Sequence, residues 1–320
     1  MKHAKASFSF NSLIKSIYLS YIPNKRDNFK QITIKLLFIV AAITFIVSSC
    51  FILSYFTTAQ KNDNVLENSR TVKKQLIEKA EEEETPSYNQ LSGLNEIMLK
   101  ENSDYKGWIT LPGTKIDNPI YQTTNNDFYL NHNQLKKKSV YGALFFDCKN
   151  VITTKQVDQN LVVFGHEMKN GSMFGELKKL KNLNFYKQHP TLQFTTLNGT
   201  YTYRIYSVFL LNSTKKDDNG YIYNIYKNTF LDEQDFNAWI DEAKQRSIIE
   251  TGVDVLCEDQ ILTLVTCSND FPNARLVVMA RKLQWNETEE QALNAHSAIL
   301  NPNPRHPKLW YDTKGLKYPF

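Results

Sequence analysis

Residues 261–283 of this 320-residue chain read ILTLVTCSNDFPNARLVVMARKL, and this stretch decides the fold. Apolar side chains fill residues 261–266 and again 276–280, and each run has the length and composition of a buried strand. The residues between the runs include a proline, which favours a turn. We therefore expect an antiparallel hairpin that carries Cys267 at the end of its first strand and Arg275 at the mouth of the second.

Short apolar runs separated by turn residues also occur upstream of this hairpin. They predict six further strands, at residues 107–111, 119–122, 142–146, 161–165, 191–196 and 200–211. Asn198 and Gly199 separate the last two runs and are a strong hairpin signal. Eight short strands with mostly tight connections predict a mainly β fold, built as a closed or nearly closed β-barrel.

Helical spacing of apolar residues occurs before and within the strand region. It predicts helices over residues 91–100, 174–180 and 232–247. The last of these is the clearest, because Phe236, Trp239, Ile240 and Ala243 fall on one helical face.

The net charge of +5 is located at the N-terminus. Residues 1–35 hold seven cations and one acid, which leaves 31 cations and 32 acids in residues 36–320. Residues 36–56 then run for 21 positions without a charge, and about 20 helical residues cross a bilayer. We expect a single-pass anchor in the lipid bilayer, with a cytoplasmic N-terminus and an extracellular main domain. The balanced charge of that domain argues against a nucleic-acid partner.

These features predict five segments. They are a basic cytoplasmic segment (1–35), a transmembrane anchor (36–56), a polar stalk (57–86), a main domain (87–283) and a C-terminal extension (284–320). The stalk is charge-rich and is expected to be solvated, either helical or flexible. The extension holds several aromatic residues and is expected to dock on the surface or to be disordered, with a regulatory or substrate role as the less favoured alternative.

Three residues could carry chemistry together. Cys267 ends a strand, and a guanidinium beside it at Arg275 would favour the thiolate and stabilise an oxyanion. A cysteine nucleophile needs an acid/base partner, and imidazole exchanges protons near neutral pH. Of the six histidines, His166 is the best placed, because it ends the apolar strand LVVFG and precedes a loop. Each of the three also fits a structural role when taken alone.

The other cysteines give no metal signature. Cys50 lies inside the apolar span, and Cys148 and Cys257 have no CxxC spacing. The sequence leaves open whether Cys148 and Cys257 pair with each other, and it indicates no metal or organic cofactor.

Several ordered motifs resemble those of one family. Residues 263–267, TLVTC, with Arg275 opening the next strand, resemble the TLxTC…R signature of sortases. Residues 164–174 resemble the catalytic-histidine loop of class B sortases, and residues 126–132 and 141–147 agree with that class. The resemblance covers residues 87–283 and implies a sortase-like eight-stranded barrel with N-terminal and inserted helices. Val265 departs from it, since class B members often have Ser there.

The resemblance implies a cysteine transpeptidase. Cys267 would attack a Thr carbonyl in the C-terminal sorting signal of a surface protein, and His166 would protonate the departing amine. Arg275 would hold the oxyanion or the backbone of the signal. The residues implied to line the substrate groove are Asn126, Leu130 and Thr266.

The acceptor stays open at this point. It is either an amine of a peptidoglycan precursor or a Lys of a pilin subunit. Two other hypotheses remain: a thiol hydrolase that uses the same three residues with water, and a non-catalytic anchored β-domain that serves as an adhesin or scaffold.

Overall fold

The computed structural model of the chain describes residues 20–82, 92–215 and 220–320. The chain divides into two compact units, Met1–Lys61 and Asn62–Phe320. Most of the predicted cytoplasmic segment, residues 1–19, lies outside the described residues, and so does the predicted boundary at residues 86 and 87. The helices found in the described part are α1 (Phe29–Glu82), α2 (Ser92–Glu101), α3 (Leu183–Gln188), α4 (Glu233–Arg246), α5 (Glu289–Leu293) and α6 (Lys308–Thr313).

In the first unit the apolar segment is helical and its large side chains are exposed. Phe45 and Phe51 are each 73 % exposed. Among the described residues, α1 contains the one helix segment long and apolar enough to cross a membrane. This helix is compatible with a single-pass membrane anchor.

The second unit is built around one closed barrel. The strands are β1 (Tyr105–Thr110), β2 (Asp117–Tyr121), β3 (Leu144–Phe146), β4 (Asn160–Phe164), β5 (Thr191–Thr196), β6 (Gly199–Asn212), β7 (Ile249–Glu250), β8 (Ile261–Cys267), β9 (Ala274–Lys282) and β10 (Ile299–Leu300). The barrel order is β1-β2-β3-β4-β8-β9-β6-β5, and pairing of β1 with β5 closes it. The pairs β2–β3 and β4–β8 are parallel, and the other barrel pairs are antiparallel. These strands match the eight predicted runs, so the predicted fold class is confirmed.

The predicted helix over residues 232–247 is confirmed as α4. Asp232 caps it, because its side chain accepts a hydrogen bond of 2.8 Å from the amide of Asp235. Trp239 and the other apolar residues of the helix pack in one cluster with β4, β6, β8 and β9. Burying side chains of this size contributes about 1.5–3 kcal/mol each. This packing fixes the strands that carry Cys267 and Arg275.

The second inserted helix differs from its prediction. The structure has a 3-10 helix at Leu177–Lys181, followed by α3, where the sequence predicts one helix over 174–180. The side chain of Asn182 starts α3 by accepting a hydrogen bond of 3.1 Å from the amide of Phe185. A 3-10 helix has three residues per turn, so the spacing of apolar residues did not locate its ends.

The part of α1 that belongs to the second unit has a buried polar face. The Lys73 ammonium donates to Asp117 Oδ1 at 2.6 Å, and Arg70 Nε donates to the Asp117 carbonyl at 2.8 Å. Lys73 and Leu66 are 8 % and 6 % exposed. The charge-rich composition favoured a solvated stalk, but polar side chains can be buried when each finds a partner.

The C-terminal extension is docked on the barrel. β10 pairs antiparallel with β7 in a small separate sheet. Glu287 accepts hydrogen bonds of 2.6 Å from Arg204 of β6 and from Arg281 of β9. Further along, the Arg305 amide donates to the Gln245 carbonyl at 2.9 Å. The segment is therefore docked and ordered in this structure.

Candidate active site

The parallel pairing of β4 with β8 sets the positions of His166 and Cys267. Phe164 lies opposite Val265 in this pair, and the Gly165 amide donates to the Val265 carbonyl at 3.2 Å. His166 and Cys267 each follow two residues after this matched pair. The two chains therefore deliver the imidazole and the thiol to the same end of the barrel.

Arg275 is placed by the other neighbour of β8. The antiparallel pairing of β8 and β9 puts Cys267 directly opposite Arg275, as the predicted hairpin requires. Arg275 Nη1 donates to the Ala274 carbonyl at 3.0 Å, which orients the guanidinium. Residue Asn273 closes the connecting loop at φ +62°, in the left-handed region that asparagine tolerates.

A backbone carbonyl orients the imidazole of His166. Nε2 lies 2.7 Å from the Leu130 carbonyl, which can only accept a hydrogen bond, so Nε2 carries a proton. This leaves Nδ1 as the nitrogen that can take up or release a proton. Gly142 (φ +59°) lies against the ring, because a Cβ there would come within 3.2 Å of His166 Cδ2 and 2.3 Å of the Tyr129 carbonyl.

The side chains of His166, Cys267 and Arg275 line a single open cavity with a volume of about 670 Å³. We call this cavity the groove. All six residues singled out from the sequence contribute to it, namely Asn126, Leu130, His166, Thr266, Cys267 and Arg275. The Cys267 side chain is exposed, so a peptide in the groove can reach the sulfur. The arrangement suits nucleophilic attack on a carbonyl, with a proton carrier and a cation at the same end of the barrel as the sulfur.

The three groove residues implied by the resemblance have different environments. Asn126 is held by Asp147, to whose Oδ1 its side-chain amide donates at 2.7 Å, and it accepts from the Cys148 amide at 2.7 Å. Leu130 is 39 % exposed. Thr266 is 3 % exposed, and in the described part of the chain its hydroxyl has no hydrogen-bond partner.

The sequence reasoning missed one wall of the groove. Ile222, Tyr223, Ile225 and Tyr226 line it, and they lie in an irregular segment between β6 and α4. Burial raises the pKa of Tyr226 above its ordinary value, and the ring lies 6.1 Å from that of Phe164. The run YIYNIY at 221–226 was the available signal, since aromatic and aliphatic residues outside strands often mark a binding surface.

His132, Cys148 and Cys257 do not line the groove. His132 stacks on Phe128 at 4.2 Å and is absent from the groove lining given by the described residues. Cys148 and Cys257 are both free thiols. The possible pairing left open by the sequence does not occur in this structure.

Comparison with known proteins agrees with the geometry. The sortase domain model matches residues 109–283. Sortase B of Listeria monocytogenes is 34 % identical, over 58 % of this chain and 72 % of its own length. Sortase B of Staphylococcus aureus is 30 % identical, over 64 % of this chain and 78 % of its own length. The structure of a Staphylococcus aureus sortase B–substrate complex matches with a TM-score of 0.61 and 27 % identity, covering 72 % of this chain and all of that one.

The chain therefore belongs to the sortase family. Its relatives are class B sortases, so the enzyme class is that of a cysteine transpeptidase.

Proposed function

We infer that this enzyme cleaves a C-terminal sorting signal after a Thr and joins the resulting protein to an amine of a cell wall precursor. The observation that carries the proposal is the placement of Cys267 between His166 and Arg275 at one end of the groove. A relative solved as a substrate complex supports a groove that takes the signal peptide.

The first half-reaction forms a thioester. The Cys267 thiolate attacks the Thr carbonyl carbon, and the Arg275 guanidinium donates hydrogen bonds to the oxygen that becomes negative. The C–N bond then breaks as His166 gives a proton to the departing amine. The acyl chain remains bonded to the Cys267 sulfur.

The second half-reaction reverses the roles. The lone pair of the incoming amine attacks the thioester carbon, and the C–S bond breaks to release the Cys267 thiolate. His166, now neutral, takes a proton from the new amide nitrogen. Each residue ends in its starting protonation state, so the cycle is balanced.

The groove walls provide recognition. Leu130 and the apolar wall at 222–226 contact the signal side chains, and Asn126, whose amide is fixed by Asp147 and Cys148, borders the same part of the groove. Thr266 precedes Cys267 on β8 and contributes to the lining of the groove.

The anchor defines where this reaction takes place. With a basic N-terminus before the apolar helix, we place the N-terminus in the cytoplasm and the barrel outside the cell membrane. Surface proteins that carry sorting signals, and wall precursor amines, are both accessible on that side.

The test incubates the full-length chain in detergent micelles with a panel of sorting-signal peptides and analyses it by mass spectrometry. We expect an acyl adduct on Cys267 and none in Cys267→Ala. Cys257→Ala is the matched control, because Cys257 is also an exposed thiol but lies outside the groove, and it should retain the adduct.

The acceptor is tested in the same reaction. With a wall-precursor amine present, a transpeptidase forms amide at the expense of acid, whereas a hydrolase forms acid throughout. Amide formation with a pilin Lys peptide and none with wall amines would overturn the choice of acceptor. The absence of any Cys267 adduct across the panel would overturn the proposed function itself.

A further inference from the structure

The part of α1 that belongs to the second unit contacts the loop that orients the imidazole of His166. This part begins at Asn62 and lies outside the matched sortase domain, which begins at residue 109. The loop comprises residues 129–143 and leads into β3. We call it the Leu130 loop, because its Leu130 carbonyl lies 2.7 Å from His166 Nε2. The position of this loop therefore bears directly on the orientation of the imidazole.

Asn62 forms two side-chain hydrogen bonds with the Leu130 loop. Its Nδ2 donates to the Ser139 hydroxyl, and its Oδ1 accepts from Asn133 Nδ2 at 2.9 Å. All three side chains are buried, since Asn62 and Ser139 are each 5 % exposed and Asn133 is 9 % exposed. Loss of one partner would leave a buried polar atom unpaired, which is unfavourable. Asn62 is therefore a fixed point against which the loop is held.

Ser139 extends this contact along the loop in both directions. Its amide donates to the Asn131 carbonyl at 2.9 Å, and its carbonyl accepts from the Gly142 amide at 3.3 Å. Its hydroxyl, which is bound by Asn62, also accepts from the Tyr141 amide at 3.0 Å. A single serine thus connects the side chain of Asn62 to the backbone on both sides of the loop.

Gly142 brings the path to the imidazole. A Cβ at this position would come within 3.0 Å of the Leu130 carbonyl oxygen and within 3.2 Å of His166 Cδ2, so the glycine backbone packs against both. The next amide, of Ala143, donates to the Tyr129 carbonyl at 2.9 Å and joins the two ends of the loop. Asn62 and His166 are therefore linked by a continuous series of hydrogen bonds and close contacts.

Other contacts hold the Leu130 loop without entering this path. Lys136 Nζ lies 2.9 Å from Asp104 Oδ2, and Gln134 Nε2 donates to the Ser69 hydroxyl of α1 at 2.8 Å. Both contacts reach the loop before Ser139. Ser69 is buried like Asn62 and joins the same helix to the same loop, so it provides a matched comparison.

We propose that Asn62 is a positioning residue for His166. This rests on the proposed function, in which His166 protonates the departing amine. With the loop held by Asn62, the Leu130 carbonyl keeps the proton on Nε2, and Nδ1 remains the nitrogen that exchanges a proton with the substrate. Without Asn62 the carbonyl is free to shift, and the imidazole spends less time in the orientation that reaches the amine.

The test measures how fast a sorting-signal peptide acylates Cys267 in the full-length chain in detergent micelles. Mass spectrometry follows the adduct over time. We expect Asn62→Ala to slow acylation about tenfold, because small displacements of a catalytic group cost one or more powers of ten in rate. Each variant is assayed well below its own melting temperature, so that unfolded protein does not contribute.

The His166→Gln background separates positioning from general damage. If Asn62 acts through His166, then Asn62→Ala should slow the residual acylation of His166→Gln by less than about twofold. A purely structural role predicts the same reduction in both backgrounds. Ser69→Ala is the control, since it also loses a buried hydrogen bond to the Leu130 loop and should lower the melting temperature, but it should keep the wild-type acylation rate.

A second variant removes the same contact from the loop side. Ser139→Ala deletes the hydroxyl that Asn62 binds, and we expect slower acylation that again depends on the presence of His166. This variant decides the question if Asn62→Ala does not fold.

The outcomes separate the two proposals. Acylation at the wild-type rate in the folded variants, or equal reductions with and without His166, would overturn the positioning role and leave the proposed function standing. If no peptide acylates the wild-type chain, the proposed function fails, and the positioning role fails with it.

Discussion

The groove and the C-terminal extension are both attached to strands β6 and β9, yet they handle polar groups differently. At the groove, Cys267 is exposed and the buried Thr266 hydroxyl has no partner in the described part of the chain. In the extension, Glu287 is held by Arg204 and Arg281. The groove keeps a thiol open to substrates, whereas the carboxylate that docks the extension is stabilised by two guanidinium partners.

This contrast predicts a separation of effects. Substitutions in the groove should change activity and leave the melting temperature nearly unchanged. Substitutions in the extension should change stability first. The four predictions below test that separation, in decreasing order of expected effect.

His166→Gln should lower the rate of peptide cleavage about a thousandfold, equivalent to about 4 kcal/mol of barrier, because the leaving amine loses its acid. The melting temperature should change by less than about 2 °C. His132→Gln is the matched control, since His132 stacks on Phe128 outside the groove. Equal losses in both variants would show that histidine substitution acts on folding in this region and would break the comparison.

Glu287→Ala should destabilise the folded chain by about 3 kcal/mol, because it removes the 2.6 Å partner of both Arg204 and the buried Arg281. Arg281 then keeps only its longer ion pair with Asp259, at 3.7 Å. Chemical denaturation followed by tryptophan fluorescence measures this. Glu290→Ala, at an exposed position of α5 three residues further on, should have little effect. If Glu287→Ala abolished cleavage while stability held, the extension would belong to the catalytic machinery.

Arg275→Lys should lower kcat about a hundredfold, equivalent to about 2.7 kcal/mol, since an ammonium keeps the charge but loses the rigid fork of donors. Steady-state cleavage of the best peptide measures it, alongside a thermal melt that should stay unchanged. A wild-type kcat would show that charge alone suffices at this position.

The smallest predicted effect is a loss of stability in mild acid caused by His306. Burial lowers the pKa of His306 to about 4 from its ordinary 6.5, with Asp270, Lys181 and Lys314 as the charged groups facing it. The unfolded chain therefore binds a proton that the folded chain excludes. The stability contribution is complete above pH 6.5 and is lost as pH falls towards 4, by about 1 kcal/mol between pH 7.5 and 5.5.

Glu287 titrates in a different window, which isolates His306. Burial acts to raise its pKa, but hydrogen bonds from Arg281 and Arg204 hold it below its ordinary 4.5. Its contribution is present above that pH and is lost only below it. Melting curves of His306→Gln should therefore lose the slope between pH 7.5 and 5.5, and an unchanged slope would assign it to another group.

The barrel was predictable because its strands are continuous apolar runs bounded by turn residues. The grouping of Cys267 with Arg275 also followed from the sequence, since one hairpin carries both. The position of His166 near them depends on a parallel pair between distant strands, β4 and β8, which the sequence does not predict. His166 was chosen among the six histidines because it ends an apolar strand, and because the surrounding loop resembles that of class B sortases.

Three features of the structure could not be predicted, because their sequences show too little periodicity or turn chemistry. Two-residue strands such as β7 and β10 have no alternation to detect. The buried face of α1 alternates apolar residues with polar ones such as Asn62, Ser69 and Lys73, so hydrophobic periodicity could not reveal it. The wall at residues 222–226 is irregular and becomes apparent only when the groove is assembled in three dimensions.

The parallel pairing of β4 with β8 has a consequence for biogenesis. The imidazole and the thiol come from strands that meet only after a long stretch of intervening chain has folded, and such non-local pairing is slow. A partly folded chain in which β4 and β8 have not paired therefore lacks the juxtaposition of His166 and Cys267. In the proposed mechanism, pairing of β4 with β8 is therefore a maturation step, after which Cys267 first has its proton carrier at the same end of the barrel.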